Sequence, residues 1–334
     1  MNLVTGGTGL VGANLLLLLL EQGENVRAVF RNEKSKTKTK KLFELHKKGD
    51  LFLKIEWVQA DINDTPALEK AFTDVEYVYH CAAYVSLSSS DEKMYKINIE
   101  GTANVVNLSV DFGIKKFCYV SSIAALGTPE NPLSVIDENT QWNPNSNHTD
   151  YAITKYGGEM EVFRGSQEGL DVVVVNPGII LGAGFWDHGS AKFFGQIKKG
   201  MFFYSKGKSG FVAVSDVVRA MYELMKSDSK SEKFILVAEN LSLQDFLNKV
   251  ADSVNAKRPK FYANPWLTKL GAKMDWLLSA LFFKERKLTQ SMSDSAHSQT
   301  VFSNEKIKNT LNFEFTDITD YILKTGTLFI KTHK

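Results

Sequence analysis

The stretch Thr5-Gly6-Gly7-Thr8-Gly9-Leu10-Val11-Gly12 restricts what this chain can fold into more than any other. It follows a short apolar run, Asn2-Leu3-Val4, and leads into Ala13-Asn14 and six consecutive leucines, Leu15 to Leu20. Spaced glycines carry meaning where a strand precedes them and a helix follows. Gly6 lets the chain turn sharply off the strand. Gly9 lets a pyrophosphate approach the main chain without meeting a Cβ, and Gly12 lets the helix pack on the sheet. The helix start adds free N–H groups and the positive end of a dipole. The spacing G-x-x-G-x-x-G in this context predicts a bound dinucleotide, held by Gly6, Thr8, Gly9, Leu10, Val11 and Gly12.

The 334 residues suffice for one large domain or two modest ones. A hydrophobic share of 43% and a charged share of 23% are those of a globular protein that buries a core. A formal net charge of +2 argues against nucleic acid as a partner recruited by bulk charge. Cys81 and Cys118 sit in apolar strand-like runs, as small core residues of a reducing compartment do. The glycine motif lies so close to Met1 that no leader is expected before it, and a cytoplasmic protein is anticipated. Leu15–Leu20 is too short to span a bilayer, and the stretch from Trp266 to 283 is broken by Lys269, Lys273 and Asp275, so no membrane partner is expected. No His/Cys/Asp spacing suggests a metal.

Strand-like and helix-like segments then alternate. Val26–Phe30, Lys54–Gln59, Val75–His80, Lys116–Val120 and Asp171–Val175 read as strands, the last purely β-branched and hence central. Helices are expected between them, one beginning near position 91. Val212–Met225 reads as one more helix and Lys233–Ala238 as a seventh strand. The rhythm predicts an α/β fold, a Rossmann-type doubly wound parallel sheet of about seven strands. Residues 1–180 would form it, with 212–238 returning to it. Residues 181–211 and 239–330 would form a smaller, mostly helical substrate-binding domain.

Arg31 ends the second strand, where the adenosine ribose lies in such sheets. An acid there would suit NAD(H). Arg31, with lysines crowding behind it, suits the 2′-phosphate of NADP(H), so NADP(H) is the preferred cofactor and NAD(H) the alternative. Tyr151 and Lys155 are four apart at a helix start, so both side chains lie on one face. A phenol is a poor base at neutral pH, but a neighbouring ammonium lowers its pKa and fits it for proton exchange with a carbonyl or alcohol oxygen. Ser122, at a strand end, can hold the same oxygen.

This constellation resembles the extended branch of the short-chain dehydrogenase/reductase superfamily, the NAD-dependent epimerase/dehydratase family, over nearly the whole chain. The matching residues are Thr5–Gly12, Asp61, His80-Cys81-Ala82-Ala83, Asn98-x-x-Gly101-Thr102, Ser121-Ser122, Tyr151-x-x-x-Lys155 and Asn176-Pro177-Gly178. Val26–Arg31 is similar to the NADP-binding stretch of the dihydroflavonol-reductase and 3β-hydroxysteroid-dehydrogenase group, which the chain resembles most, and the C-terminal 301–313 is similar to the ending of the extended branch. The resemblance implies catalysis by Ser122, Tyr151 and Lys155. It implies cofactor contacts at Asp61, Ile62, Ala82, Ala83, Asn98, Tyr151, Lys155, Pro177, Ile179 and Ile180. Two departures weigh against a sugar-nucleotide substrate. Ile123-Ala124-Ala125-Leu126-Gly127 lacks the tyrosine usual before that glycine and the acid pair of the dehydratases, and Ser215 stands where relatives often carry an acid.

The substrate expected is therefore a small molecule, an apolar or aromatic ketone or aldehyde reduced with NADPH. Two alternatives stay open, a nucleotide-sugar epimerase and a dinucleotide-binding sensor without turnover. Phe185, Trp186, Phe193, Phe194, Phe202, Phe203, Tyr204, Trp266, Leu267, Leu270, Met274, Leu277 and Leu278 could wall the pocket or pack the smaller domain's own core. Val105, Val106, Leu108 and Val110 are candidates for a homodimer contact or for core. His188 reads as a plain loop histidine, with contact to substrate open.

Overall fold

The computed structural model describes residues 1–85, 92–128, 134–282 and 290–333. Twelve strands follow in chain order: β1 (Asn2–Thr5), β2 (Val26–Phe30), β3 (Glu56–Gln59), β4 (Tyr77–His80), β5 (Lys116–Val120) and β6 (Val172–Pro177), then β7 (Ile179–Leu181), β8 (Phe203–Tyr204), β9 (Lys208–Ala213), β10 (Glu232–Leu236), β11 (Glu239–Ser242) and β12 (Phe261–Tyr262). Seven of them form one parallel sheet in the order β10-β6-β5-β4-β1-β2-β3. From β1 the chain winds outward through β2 and β3, then returns to the other side through β4, β5, β6 and β10. The switch falls between β1 and β4, where a doubly wound sheet opens its ligand crevice.

The six leucines explain why the first helix, Leu10–Glu21, sits under the sheet. A helix apolar on every side must be buried on every side. Leu15, Leu16 and Leu19 are fully buried and pack with Val217, Met221 and Leu224 of the helix Val214–Lys226. The opposite face is covered by Leu68, Phe72, Val105, Val106 and Val162. Val105, Val106 and Leu108 are thus core and supply no dimer face, and Val110 packs against the same cluster.

Beyond β6 two small sheets appear that the alternation of apolar residues had not shown. β7, β9 and β11 form a mixed three-stranded sheet, and β8 pairs with β12. The segment read as a helix from Val212 is strand β9 up to Ala213 and helix only from Val214, because both periods are apolar across the joint. The helices Lys192–Lys198, Leu243–Ser253 and Ile318–Thr332 build a third core around Phe194, Phe211, Phe246 and Phe329.

That core takes up part of the expected pocket wall. Phe194 is 1% exposed, Phe193 meets Phe246 edge-on, and Trp186 meets Phe194 and Phe329, while Phe185 is buried beside Ala13 and Leu42. These rings are packing, not pocket. Phe202, Phe203, Trp266, Leu267 and Leu270 are exposed instead. The side chains of Met274, Leu277 and Leu278, and the helix start expected at position 91, lie outside the described residues. Among the described residues no helix is long and apolar enough to cross a membrane, and no group of three or more His, Cys, Asp or Glu could hold a metal ion.

Candidate active site

β1 ends in Thr5, and the chain turns through Gly6 with φ +69°, a left-handed conformation that L side chains rarely adopt. A Cβ on Gly6 would lie 2.6 Å from the Ala82 nitrogen, so the turn presses directly against the end of β4. A Cβ on Gly12 would lie 2.3 Å from the Gly6 oxygen. Gly12 therefore lets the helix start approach the turn, rather than the sheet as its spacing had suggested. Gly9 is the exposed member, with an ordinary extended backbone and room for a Cβ. Its N–H donates to the Gly6 carbonyl at 2.9 Å. It caps a helix whose first turn, Leu10 to Gly12, has no preceding carbonyls to bond. This is a cradle for a pyrophosphate, and the residues fit a dinucleotide.

Arg31 is exposed at the C-terminal end of β2. Of the cations behind it, Lys36 is taken up by Glu33 and by the ring of Phe30, and Lys38 Nζ lies 2.6 Å from His188 Nε2. His188 thus meets a lysine of the cofactor-side loop. Asp61 is half-buried at the end of β3, its carboxylate accepting from the Asn63 N–H at 3.0 Å. The Ile62 side chain is core, filling the space above Gly101, where a Cβ would be 2.6 Å away. Ala82 and Ala83 follow β4, and the Ala82 N–H donates to Thr5 Oγ1 at 3.3 Å. Pro177 ends β6, and Ile179 and Ile180, both half-buried, open β7.

The helix Asp150–Gln167 carries the chemistry. Thr149 caps it, accepting from the Ala152 N–H at 3.1 Å. Tyr151, Lys155 and Glu159 recur every four residues along one face. Burial raises the Tyr151 pKa, and the neighbouring Ser122 hydroxyl opposes the rise. The Lys155 ammonium, 1% exposed, donates to Tyr119 Oη at 2.7 Å and to the Val120 carbonyl at 2.9 Å. Burial pushes the Lys155 pKa down to about 7, against the pull of Glu159.

Tyr119 needs room, and Gly158 supplies it: a Cβ there would sit 2.3 Å from the Tyr119 hydroxyl. A glycine inside a helix costs about 1 kcal/mol, accepted here for close approach. Behind Tyr119 runs a buried polar chain. Thr102 donates to the Asn98 carbonyl at 2.8 Å, so its proton is committed and His80 Nε2, 3.0 Å away, carries the hydrogen between them. His80 Nδ1 then accepts from Thr5 at 2.6 Å. Burial drives the His80 pKa down to about 3, with the Lys155 charge adding to the shift. A neutral histidine thus ties β1, β4 and the helix Gly101–Asp111 together directly beneath the glycine turn.

Asn98 was expected among the cofactor contacts. It is 1% exposed, and its amide is spent on the protein: Oδ1 accepts from the Tyr84 N–H at 2.7 Å, and Nδ2 donates to the Tyr84 carbonyl and to Thr154 Oγ1. It braces the loop after β4, from a π-helical turn, Lys96–Glu100. Sequence reasoning missed Glu159, which the i, i+4, i+8 spacing from Tyr151 could have flagged. It is fully buried, and its Oε1 accepts from Asn176 Nδ2 at 2.5 Å. The same Nδ2 donates to the Ser122 carbonyl at 3.0 Å. Burial raises the Glu159 pKa. Cys81 and Cys118 are free thiols whose pKa values burial raises, that of Cys81 to about 12, so neither is a nucleophile.

A glycine turn at the switch point of a parallel sheet, facing a Ser–Tyr pair and a buried lysine, defines an enzyme of the extended short-chain dehydrogenase/reductase type. The chain belongs to the NAD dependent epimerase/dehydratase family, whose model matches residues 2–238. Within it the relatives place it in the dihydroflavonol-reductase and 3β-hydroxysteroid-dehydrogenase-like group. Sterol demethylase protein B of Methylococcus capsulatus is 29% identical, over 85% of this chain and 84% of that protein. Cinnamoyl-CoA reductase 1 of Oryza sativa subsp. japonica is 30% identical over 65% of each. In fold, the chain matches UDP-glucose 4-epimerase of Thermotoga maritima, solved with UDP-glucose, with a TM-score of 0.79 and 21% identity over the full length of both.

Proposed function

We propose that this protein is an NADPH-dependent reductase of an apolar or aromatic ketone or aldehyde. The placement of Ser122, just after β5, against the helix that carries Tyr151 and the buried Lys155 supports the reading, since it offers an oxygen-holding hydroxyl and a proton donor together. Gly6, Gly9, Gly12, Asp61, Ala82, Ala83, Pro177, Ile179 and Ile180 would hold the dinucleotide, and Arg31 its 2′-phosphate. A bound nicotinamide supplies the hydride. Ser122 holds the substrate oxygen by a hydrogen bond. Tyr151 gives that oxygen its proton. Lys155, anchored on Tyr119 and the Val120 carbonyl, supplies positive charge near the phenol, and the cofactor's own charge adds to it. Residues 1–180 with 212–238 would form the dinucleotide-binding unit, and 181–211 with 239–330 the substrate side.

The reductase names of the relatives support reduction over epimerisation. The absence of an acid pair after Ser122 weighs against a dehydratase. NADPH consumption across a panel of aryl and alicyclic ketones and aldehydes tests the reading, beside thermal shift with UDP- and TDP-sugars. Turnover of a ketone, lost by about 10²–10⁴-fold in Tyr151→Phe with dinucleotide binding kept, is expected. Stabilisation by a nucleotide sugar with no ketone turned over would reject it in favour of an epimerase.

A further inference from the structure

The strands β8 and β12 and the start of the helix Pro265–Phe282 form an exposed face. Phe203 and Phe261 pair across the two strands, with ring centroids 5.9 Å apart, and are 52% and 57% exposed. Phe202, beside them, is 66% exposed, and Trp266, at the helix start, 71%. The helix has two sides. Its inner side is fixed: Thr268 accepts from Ser293 Oγ at 2.7 Å and Ala272 is 2% exposed. Trp266 and Leu270, four apart, point the other way, and both are exposed. An apolar face of this kind on a monomer marks an interaction site.

Its charge says which. Segments 198–206 and 257–273 carry three and five cations respectively and no Asp or Glu, in a chain whose net charge is only +2. Beside this face, among the described residues, Asp252 pairs with Arg258 and Asp294 with Lys269. Lys206 sits over the Tyr262 ring at 4.8 Å, while Lys257, Lys260 and Lys273 are exposed. Exposed tryptophan, phenylalanine and leucine ringed by lysines match a bilayer interface, where rings and leucines enter the acyl boundary and ammonium heads stay with anionic headgroups. A second copy of this chain would bring like charges together across a two-fold axis. Single-stranded nucleic acid would use the rings but not the leucines.

We propose that this face lies on an anionic lipid surface. Lying on a bilayer is distinct from crossing it, so the expectation of no membrane partner is revised only for the interface. The proposal rests on these surface residues and does not depend on the substrate reading.

Flotation of the full-length protein with vesicles tests it. Phosphatidylcholine vesicles are compared with vesicles containing about one-third phosphatidylglycerol. Partition onto the anionic vesicles should exceed that onto neutral ones by about tenfold or more, and fall as salt is added. Combined Phe203→Ser, Phe261→Ser and Trp266→Ser should abolish it. Combined Lys257→Glu, Lys260→Glu and Lys273→Glu should abolish the anionic preference. An unaltered thermal shift with dinucleotide verifies that each variant is folded. The proposal fails if wild-type protein binds neither vesicle, if the surface-lysine variant binds anionic vesicles as wild type does, or if single-stranded DNA is retained in preference to vesicles.

Discussion

Lys155 is buried, and Glu159 is the carboxylate that opposes the loss of its charge. With a native pKa of about 7 against 10.5, the unfolded chain binds a proton that the native lysine lacks throughout that window. This group therefore destabilises the protein most below pH 7, and its cost fades as pH rises toward the unfolded value. Glu159→Gln keeps the shape and removes the negative charge. It should lower the Lys155 pKa further, so the alkaline limb of the kcat/KM profile moves down by about one pH unit, with Tm near that of wild type. An unmoved limb would leave Glu159 as a brace on Asn176 and nothing more. Arg31→Ala should weaken NADPH by about tenfold or more and leave NADH within about twofold. Equal weakening of both would show that Arg31 does not read the 2′-phosphate.

At the scale of the element, the glycine turn separates what is needed to fold from what is needed to bind. Gly12→Ala places a Cβ 2.3 Å from the Gly6 oxygen, on main chain that cannot yield. It should destabilise the protein by about 1–3 kcal/mol and displace the helix start, weakening both dinucleotides. Gly9→Ala meets only ordinary contact, 3.4 Å from the same oxygen, at φ −99°. It should leave Tm within about 1 °C, or raise it slightly through the unfolded state. It should nonetheless weaken dinucleotide binding, because the new methyl occupies the approach to the helix N-terminus. Titration calorimetry beside thermal melts separates the two, and unimpaired binding by Gly9→Ala would move the pyrophosphate away from Gly9.

At the scale of the molecule, one buried carboxylate joins the core residues Ile307 and Phe313 in holding the C-terminal segment to the sheet layer. Asp216, 2% exposed, accepts from the Thr316 N–H at 2.8 Å and from Thr316 Oγ1 at 2.9 Å, and pairs with Arg219 at 3.2 Å. Arg219 in turn lies over the Phe313 ring and donates to the Glu314 carbonyl. Thr316 leads into the last helix, Ile318–Thr332, which packs on Leu243–Ser253 in the third core. Asp216→Ala leaves those donors unpaired and should cost about 2 kcal/mol, seen as a fall of several degrees in Tm. An unchanged Tm would mean that the hydrophobic contacts of the third core suffice to hold the segment.

Local chemistry was enough to reveal the first six strands, the glycine turn and the Ser122, Tyr151 and Lys155 set. Strand period, turn residues and helix spacing act within a few residues of one another, and the six leucines allow only a buried helix. What Lys155 touches was beyond such reasoning. Tyr119 lies 36 positions before it, and only the placement of β5 beneath the helix brings its hydroxyl and the Val120 carbonyl to the ammonium. The same holds for Asn98: the resemblance implied a cofactor contact or support of the helix, and packing commits its side-chain amide to bracing the loop after β4. The aromatic residues after Gly182 carry no period that tells core from surface. Phe194 is buried and Phe203 is exposed, because the helices Leu243–Ser253 and Ile318–Thr332 close over the first and nothing among the described residues closes over the second. Burial is a property of which distant elements meet, and it decides which of these side chains are packing and which are left to interact.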